Sequence, residues 1–252
     1  MTQIQLNHET SFYKAFQNGA ILQIHFKEFQ VNWINQIEAL YDFVSFLDLV
    51  EIHEDVQVIL LFHKSGSTFE NIHFFKIADA FKQNKISIDI LQKYFEVLDK
   101  YILHIVKSKK FFIDVHSGNM NLDSFMISFA CDYRILADNT IIKNLFLHIG
   151  TLPKGTCVFL MRKIFNSTAY SMLLTNKHHK AYDLLNSGLV NRVIDYEKFE
   201  NKVLEAARDF AIKPKASISE IKYIANSNLN QLHDSLQIEN NEILRKVSKW
   251  QN

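Results

Sequence analysis

Apolar residues along the chain fall into two patterns, short continuous runs and stretches with helical spacing. Ala20–Phe26 (AILQIHF) and Val56–Phe62 (VQVILLF) are short and rich in β-branched residues, which predicts buried strands. Between them Trp33, Ile37, Leu40, Tyr41, Val44 and Leu47 recur at helical spacing, which predicts an amphipathic helix. A longer helical region over about 74–106 carries Ile90, Leu91, Tyr94, Val97, Leu98, Tyr101 and Ile105. A basic turn, KSKK, precedes a strand at Phe111–Val115, a polar loop (HSGNMN) and a helix over about Leu122–Cys131. Tyr133–Ala137 and Leu145–Ile149 read as short strands. Pro153 breaks the chain before a helix over about Gly155–Ile164. Helices follow at Ser167–Leu174, Ala181–Ser187 and Tyr196–Ala211, and two more fill Ala216–Lys249 after Pro214.

Strands separated by helices, then helices alone, predict an α/β fold with parallel crossovers and a helical C-terminal end. The 252 residues are 48% hydrophobic, enough for a substantial core. Lys and Arg total 28 against 27 acidic residues, a net charge of +1, which gives no support to nucleic-acid or membrane-surface binding. Two cysteines, Cys131 and Cys157, are too few for a disulfide framework or a cysteine-based zinc site. No signal core or membrane-length apolar stretch is visible, so the expected location is the cytoplasm. Only six glycines and two prolines occur, so few places let a ligand approach the backbone closely.

From Lys110 onward the chain reads KFFIDVHSGNMNLDSFMISFACDYRILA. Ala130 to Ile135 (ACDYRI), the loop glycine Gly118, the turn Gly150-Thr151-Leu152-Pro153, and Ala181 with Gly188 to Val193 (GLVNRV) together resemble the crotonase superfamily, the enoyl-CoA hydratase/isomerase group. Lys222 and Glu239 sit at spacings like those of charged residues in that family's terminal helices. The resemblance spans about residues 15–245. It implies a crotonase-like spiral of ββα repeats over 1–195 and a C-terminal helical trimerisation region over 196–252. The implied ligand is an acyl thioester of coenzyme A or of an acyl carrier, with no other cofactor. The implied assembly is a homotrimer or hexamer, or a hetero-oligomer with another crotonase.

Reactions beside a thioester carbonyl build negative charge on its oxygen, and two backbone N–H groups aimed there lower the barrier. By resemblance, Asn71 occupies the first donor position, within Phe69 to Phe74 (FENIHF). Leu122-Asp123-Ser124 replaces a glycine triplet, so Asp123 occupies the second. A carboxylate there would stand at a helix start and repel the incipient enolate. The two glutamates that hydratases of the family use fall at Met126 and Phe146, neither of which can transfer a proton. Asn71, Asp123, Met126 and Phe146 are therefore the expected substrate-binding residues.

His73, His116, His148, Asp114 and Asp123 lie in or near segments expected to line the pocket. His73 with Asp123 is the candidate relocated catalytic pair. The competing reading makes His73 a helix-start residue and His116 a hydrogen-bonded core histidine. The adjacent His178-His179 does not suit a metal, because neighbouring helical residues face different ways. Two functions follow: a family enzyme acting on acyl thioesters, or a catalytically inactive homologue that binds acyl-CoA or supports an active partner.

Overall fold

The computed structural model describes residues 6–27, 33–64, 83, 87–144, 146–163, 167–227 and 229–250. β1 (His8–Glu9), β2 (Tyr13–Asn18) and β3 (Ile21–Phe26) form an antiparallel meander. Asn18 pairs with Ile21, so Gly19 and Ala20 alone make the turn. Gly19 has a φ of +59°, the left-handed conformation that a two-residue hairpin loop needs.

α1 (Trp33–Ile52) carries the chain to β4 (Val58–Lys64), parallel to β3. α2 (Ile88–Lys107) carries it to β5 (Phe111–Ser117), parallel to β4. The Ser87 side chain accepts the Ile90 amide at the start of α2. Asp89 in its first turn and His104 and Lys107 in its last oppose the helix dipole favourably.

β6 (Asn119–Asn121) follows β5, then comes α3 (Leu122–Ile127). β7 (Tyr133–Ala137) joins β5 in the large sheet, and β8 (Ile141–Lys143) joins β6 in a small one. α4 (Phe146–Ile149), α5 (Thr156–Lys163) and α6 (Ser167–Leu174) precede β9 (His179–Lys180). α7 (Ala181–Asn186) then leads to β10 (Arg192–Ile194). The sheet orders are β1-β2-β3-β4-β5-β7-β10 and β6-β8-β9. β5-β6-α3 and β7-β8-α4 each give one strand to each sheet and then a helix, the ββα repeat of the spiral.

Alternation along each strand sorts side chains to the two faces of the large sheet. Ile59, Leu61, Phe112 and Leu136 join the core beneath α1 and α2. Val58, Leu60, Phe62, Ile113, Val115 and Ile135 pack on Val203, Ala206 and Ala207 of α8 (Phe199–Ala211). The chain ends in α9 (Lys215–Ala225) and α10 (Leu229–Val247), and α10 packs on α2 and α5. Among the described residues no helix is long and apolar enough to cross a membrane.

The motifs that carry the family resemblance act as fasteners. Arg134 Nε donates to Leu189 O at 3.0 Å, and the Asn191 carboxamide oxygen accepts the Arg134 amide at 2.9 Å, which ties β7 to the start of β10. Asp132 Oδ2 accepts the Phe112 amide at 2.8 Å and Lys222 Nζ at 2.7 Å, which pins α9 to the sheet. Leu145–Ile149 corrects the sequence reading. The strand is Ile141–Lys143, just upstream, and Phe146–Ile149 is helical. Asn144 accounts for the switch: its Oδ1 accepts the Phe146 amide at 3.1 Å, and its Nδ2 donates to Met172 O at 2.9 Å.

Candidate active site

α3 begins where β6 ends, with Asn121 in an extended conformation at its cap. Asp123 is the second residue of the helix and is buried. Tyr94 of α2 lies near enough that the Asp123 charge adds to burial in pushing its phenol well above the ordinary value, so Tyr94 stays protonated. Met126 is fully buried, with its sulfur 3.6 Å from Thr156 Oγ1. Phe146, the first residue of α4, is 3% exposed and belongs to the same core.

Gly155 lets α5 approach α3. Its φ is +86°, and a Cβ there would lie 2.8 Å from the Ile127 backbone nitrogen. Glu239 reaches across from α10 to cap this start: Oε1 accepts the Gly155 amide at 2.7 Å and Oε2 the Cys157 amide at 2.8 Å. Beside it Lys154, 1% exposed, donates to Asp99 Oδ1 at 2.6 Å and Asn240 Oδ1 at 2.7 Å. Asn240 Nδ2 donates to Asp99 Oδ2 at 2.7 Å, which closes the network.

A second polar group stands on β4 and β5. His63 lies opposite His116, and both face the interior with Asp114. His63 Nε2 is 3.3 Å from Asp114 Oδ1. The His63 ring stacks on Phe26, with centroids 4.6 Å apart, and on His116 at 5.8 Å. His116 Nε2 lies 3.4 Å from Asn119 O, as expected of a hydrogen-bonded core histidine. A cavity of about 10 Å3 is lined by His63, Asp114, Tyr101, Ser124, Ser128 and Cys131, among others. It therefore connects the pair to the residue after Asp123. Burial, assisted by Cys131 and then Asp114, pushes the Tyr101 phenol well up. Burial, assisted by Asp114 and then Asp132, does the same to the Cys131 thiol. Both groups stay protonated at neutral pH, so neither is a base or a nucleophile.

Of the sequence-predicted site residues, Asp123, Met126 and Phe146 sit around α3 and α4, while Asn71 and His73 lie outside the described residues. His148 falls in α4 rather than a strand, and His179 falls in β9. Among the described residues no three His, Cys, Asp or Glu side chains could hold a metal ion. His63 escaped sequence reasoning because the predicted strand stopped at Phe62. The available signal was the interior-facing set Ile59, Leu61 and His63 alongside Phe112, Asp114 and His116.

A model of the family described as Enoyl-CoA hydratase/isomerase matches residues 17–249. The chain belongs to that family. The fold of this enoyl-CoA hydratase/isomerase family member is shared by an enoyl-CoA hydratase from Bacillus halodurans, with a TM-score of 0.79 and 17% identity over 95% of this chain and 97% of that one. It is shared with an enoyl-CoA hydratase from Mycobacterium avium subsp. paratuberculosis K-10, with a TM-score of 0.70 and 17% identity over 91% and 87%. ThnE from S. clavuligerus matches with a TM-score of 0.71 and 15% identity over 92% and 99%. At these identities the structural likeness concerns the fold.

Proposed function

We propose that this family member binds an acyl thioester of coenzyme A or of an acyl carrier beside the start of α3, without two-glutamate hydration of enoyl thioesters. The observation that carries this reading is the burial of Met126 and Phe146 in the core, where two proton-transferring carboxyls would be required. Backbone amides survive side-chain replacement, so the replacements at Asn71 and Asp123 do not by themselves abolish binding of a neutral carbonyl. The Asp123 carboxylate opposes the negative charge that an enolate develops on the same oxygen.

Thermal melts with and without excess butyryl-CoA test the binding. Saturation at about 100 times the dissociation constant adds about 2.7 kcal/mol of stability. An unchanged melting temperature overturns thioester binding. Crotonyl-CoA and longer enoyl-CoAs test the second half: turnover above the buffer blank, abolished by Asp123→Ala or His73→Ala, overturns the non-hydratase reading.

Self-association belongs to the same proposal. Ile221, Tyr223 and Ile224 of α9 are exposed, with Ile212 just before the helix, large apolar side chains that a trimer or a mixed oligomer would cover. Sedimentation showing only monomer counts against it.

A further inference from the structure

The His63–Asp114 pair bears on which acyl group would bind, a question that rests on the thioester reading above. Asp114 is 4% exposed, and its Oδ2 has no hydrogen-bond partner among the described residues. A buried carboxylate oxygen in that state costs free energy unless something donates to it. The same side chain lines the cavity of about 10 Å3. A cavity of that size, about one probe sphere, accepts a single water-sized oxygen and is too small for a run of methylenes.

Its lining is mixed. His63, Tyr101, Asp114, Ser124 and Ser128 line it together with the apolar Met120, Ile127 and Cys131. Tyr101 keeps its proton, so its hydroxyl is a competent donor, and Asp114 Oδ2 is an acceptor. Ser124 brings the cavity against the first turn of α3, the place that the proposed function gives to the thioester carbonyl.

We propose that His63 and Asp114 with this cavity form a polar subsite for one hydroxyl group on the acyl chain, so that the protein selects hydroxyacyl thioesters over their deoxy counterparts. The ligand hydroxyl donates to Asp114 Oδ2 and takes the place that a water would hold in the ligand-free protein. A purely alkyl chain would leave that carboxylate oxygen without a donor. A site built to bind a hydroxyl rejects the analogue that lacks it more strongly than an apolar pocket rejects one that carries it.

The test is a set of dissociation constants on the full-length protein for butyryl-CoA, 3-hydroxybutyryl-CoA and 4-hydroxybutyryl-CoA, by calorimetry. At least one hydroxylated thioester is expected to bind about tenfold more tightly than butyryl-CoA, or about 1.4 kcal/mol. Asp114→Val and His63→Phe are each expected to abolish that preference while butyryl-CoA binding persists. The readout is a ratio within one protein, so a loss of stability in a variant does not mimic the effect, and each variant covers a folding failure of the other. The surface variant His178→Gln is expected to keep the wild-type ratio. Equal affinity of wild type for all three ligands overturns the subsite and leaves thioester binding intact, as does a preference that survives in a folded variant. Failure to bind any of the three removes the thioester reading, and the subsite with it.

Discussion

Replacing Lys154 by Met tests how the C-terminal helix is held. Lys154 is 1% exposed and faces Asp99 at 2.6 Å, Asn240 at 2.7 Å and Glu239 at 3.7 Å. Met is close in length and apolar, so packing is largely conserved while the ammonium is lost. Asp99 and Glu239, both 5% exposed, then remain as buried carboxylates without their cation. Breaking a buried ion pair by removing one partner costs about 3–5 kcal/mol, because the other charge stays uncompensated. For a chain of this size that corresponds to a fall in melting temperature of roughly 6–20 °C, at about 2–4 °C per kcal/mol. Urea unfolding followed by circular dichroism measures the loss directly. The double variant Lys154→Met/Asp99→Asn is expected to recover part of it, since one stranded charge is gone. A Lys154→Met protein within about 1 kcal/mol of wild type refutes the reasoning and shows that solvent relieves the carboxylates.

Gly155→Ala is expected to cost at least about 1–2 kcal/mol from the left-handed backbone alone, and more because its Cβ meets the Ile127 nitrogen at 2.8 Å; chemical denaturation measures it. Lys222→Met strands Asp132 and removes the donor to Lys110 O, so α9 should become protease-sensitive before the rest of the chain, as limited proteolysis would show. His104 is held below its ordinary value by burial, which outweighs the opposing pull of Asp48 and Glu51. The folded state thus binds this proton less readily than the unfolded state, and stability present above the unfolded value is lost as pH falls through the folded one. Melts from about pH 7.5 down to about pH 5 should show that loss, and His104→Gln should reduce its slope.

Sequence alone determined the α/β class and the family, because both rest on short-range regularities. Continuous apolar runs predicted β3, β4, β5 and β7, and helical spacing predicted α1, α2 and the terminal helices. Within ACDYRI and GLVNRV, Asp132, Arg134 and Asn191 fasten distant segments of the fold. The β2–β3 hairpin leaves only a weak sequence signal: Gly19 serves its turn, but the alternation in Tyr13–Asn18 is interrupted by polar residues on a partly exposed strand. A short apolar run such as Leu145–Ile149 fits a strand or a helix equally, and the deciding bonds come from Asn144 to Phe146 and to the distant Met172. Tertiary structure decided the rest. That His63 faces His116 and stands beside Asp114 depends on the register of strands joined through a long crossover. That Glu239 caps α5 depends on how α10 folds back. Periodicity assigns a residue to a face; only packing assigns it a neighbour.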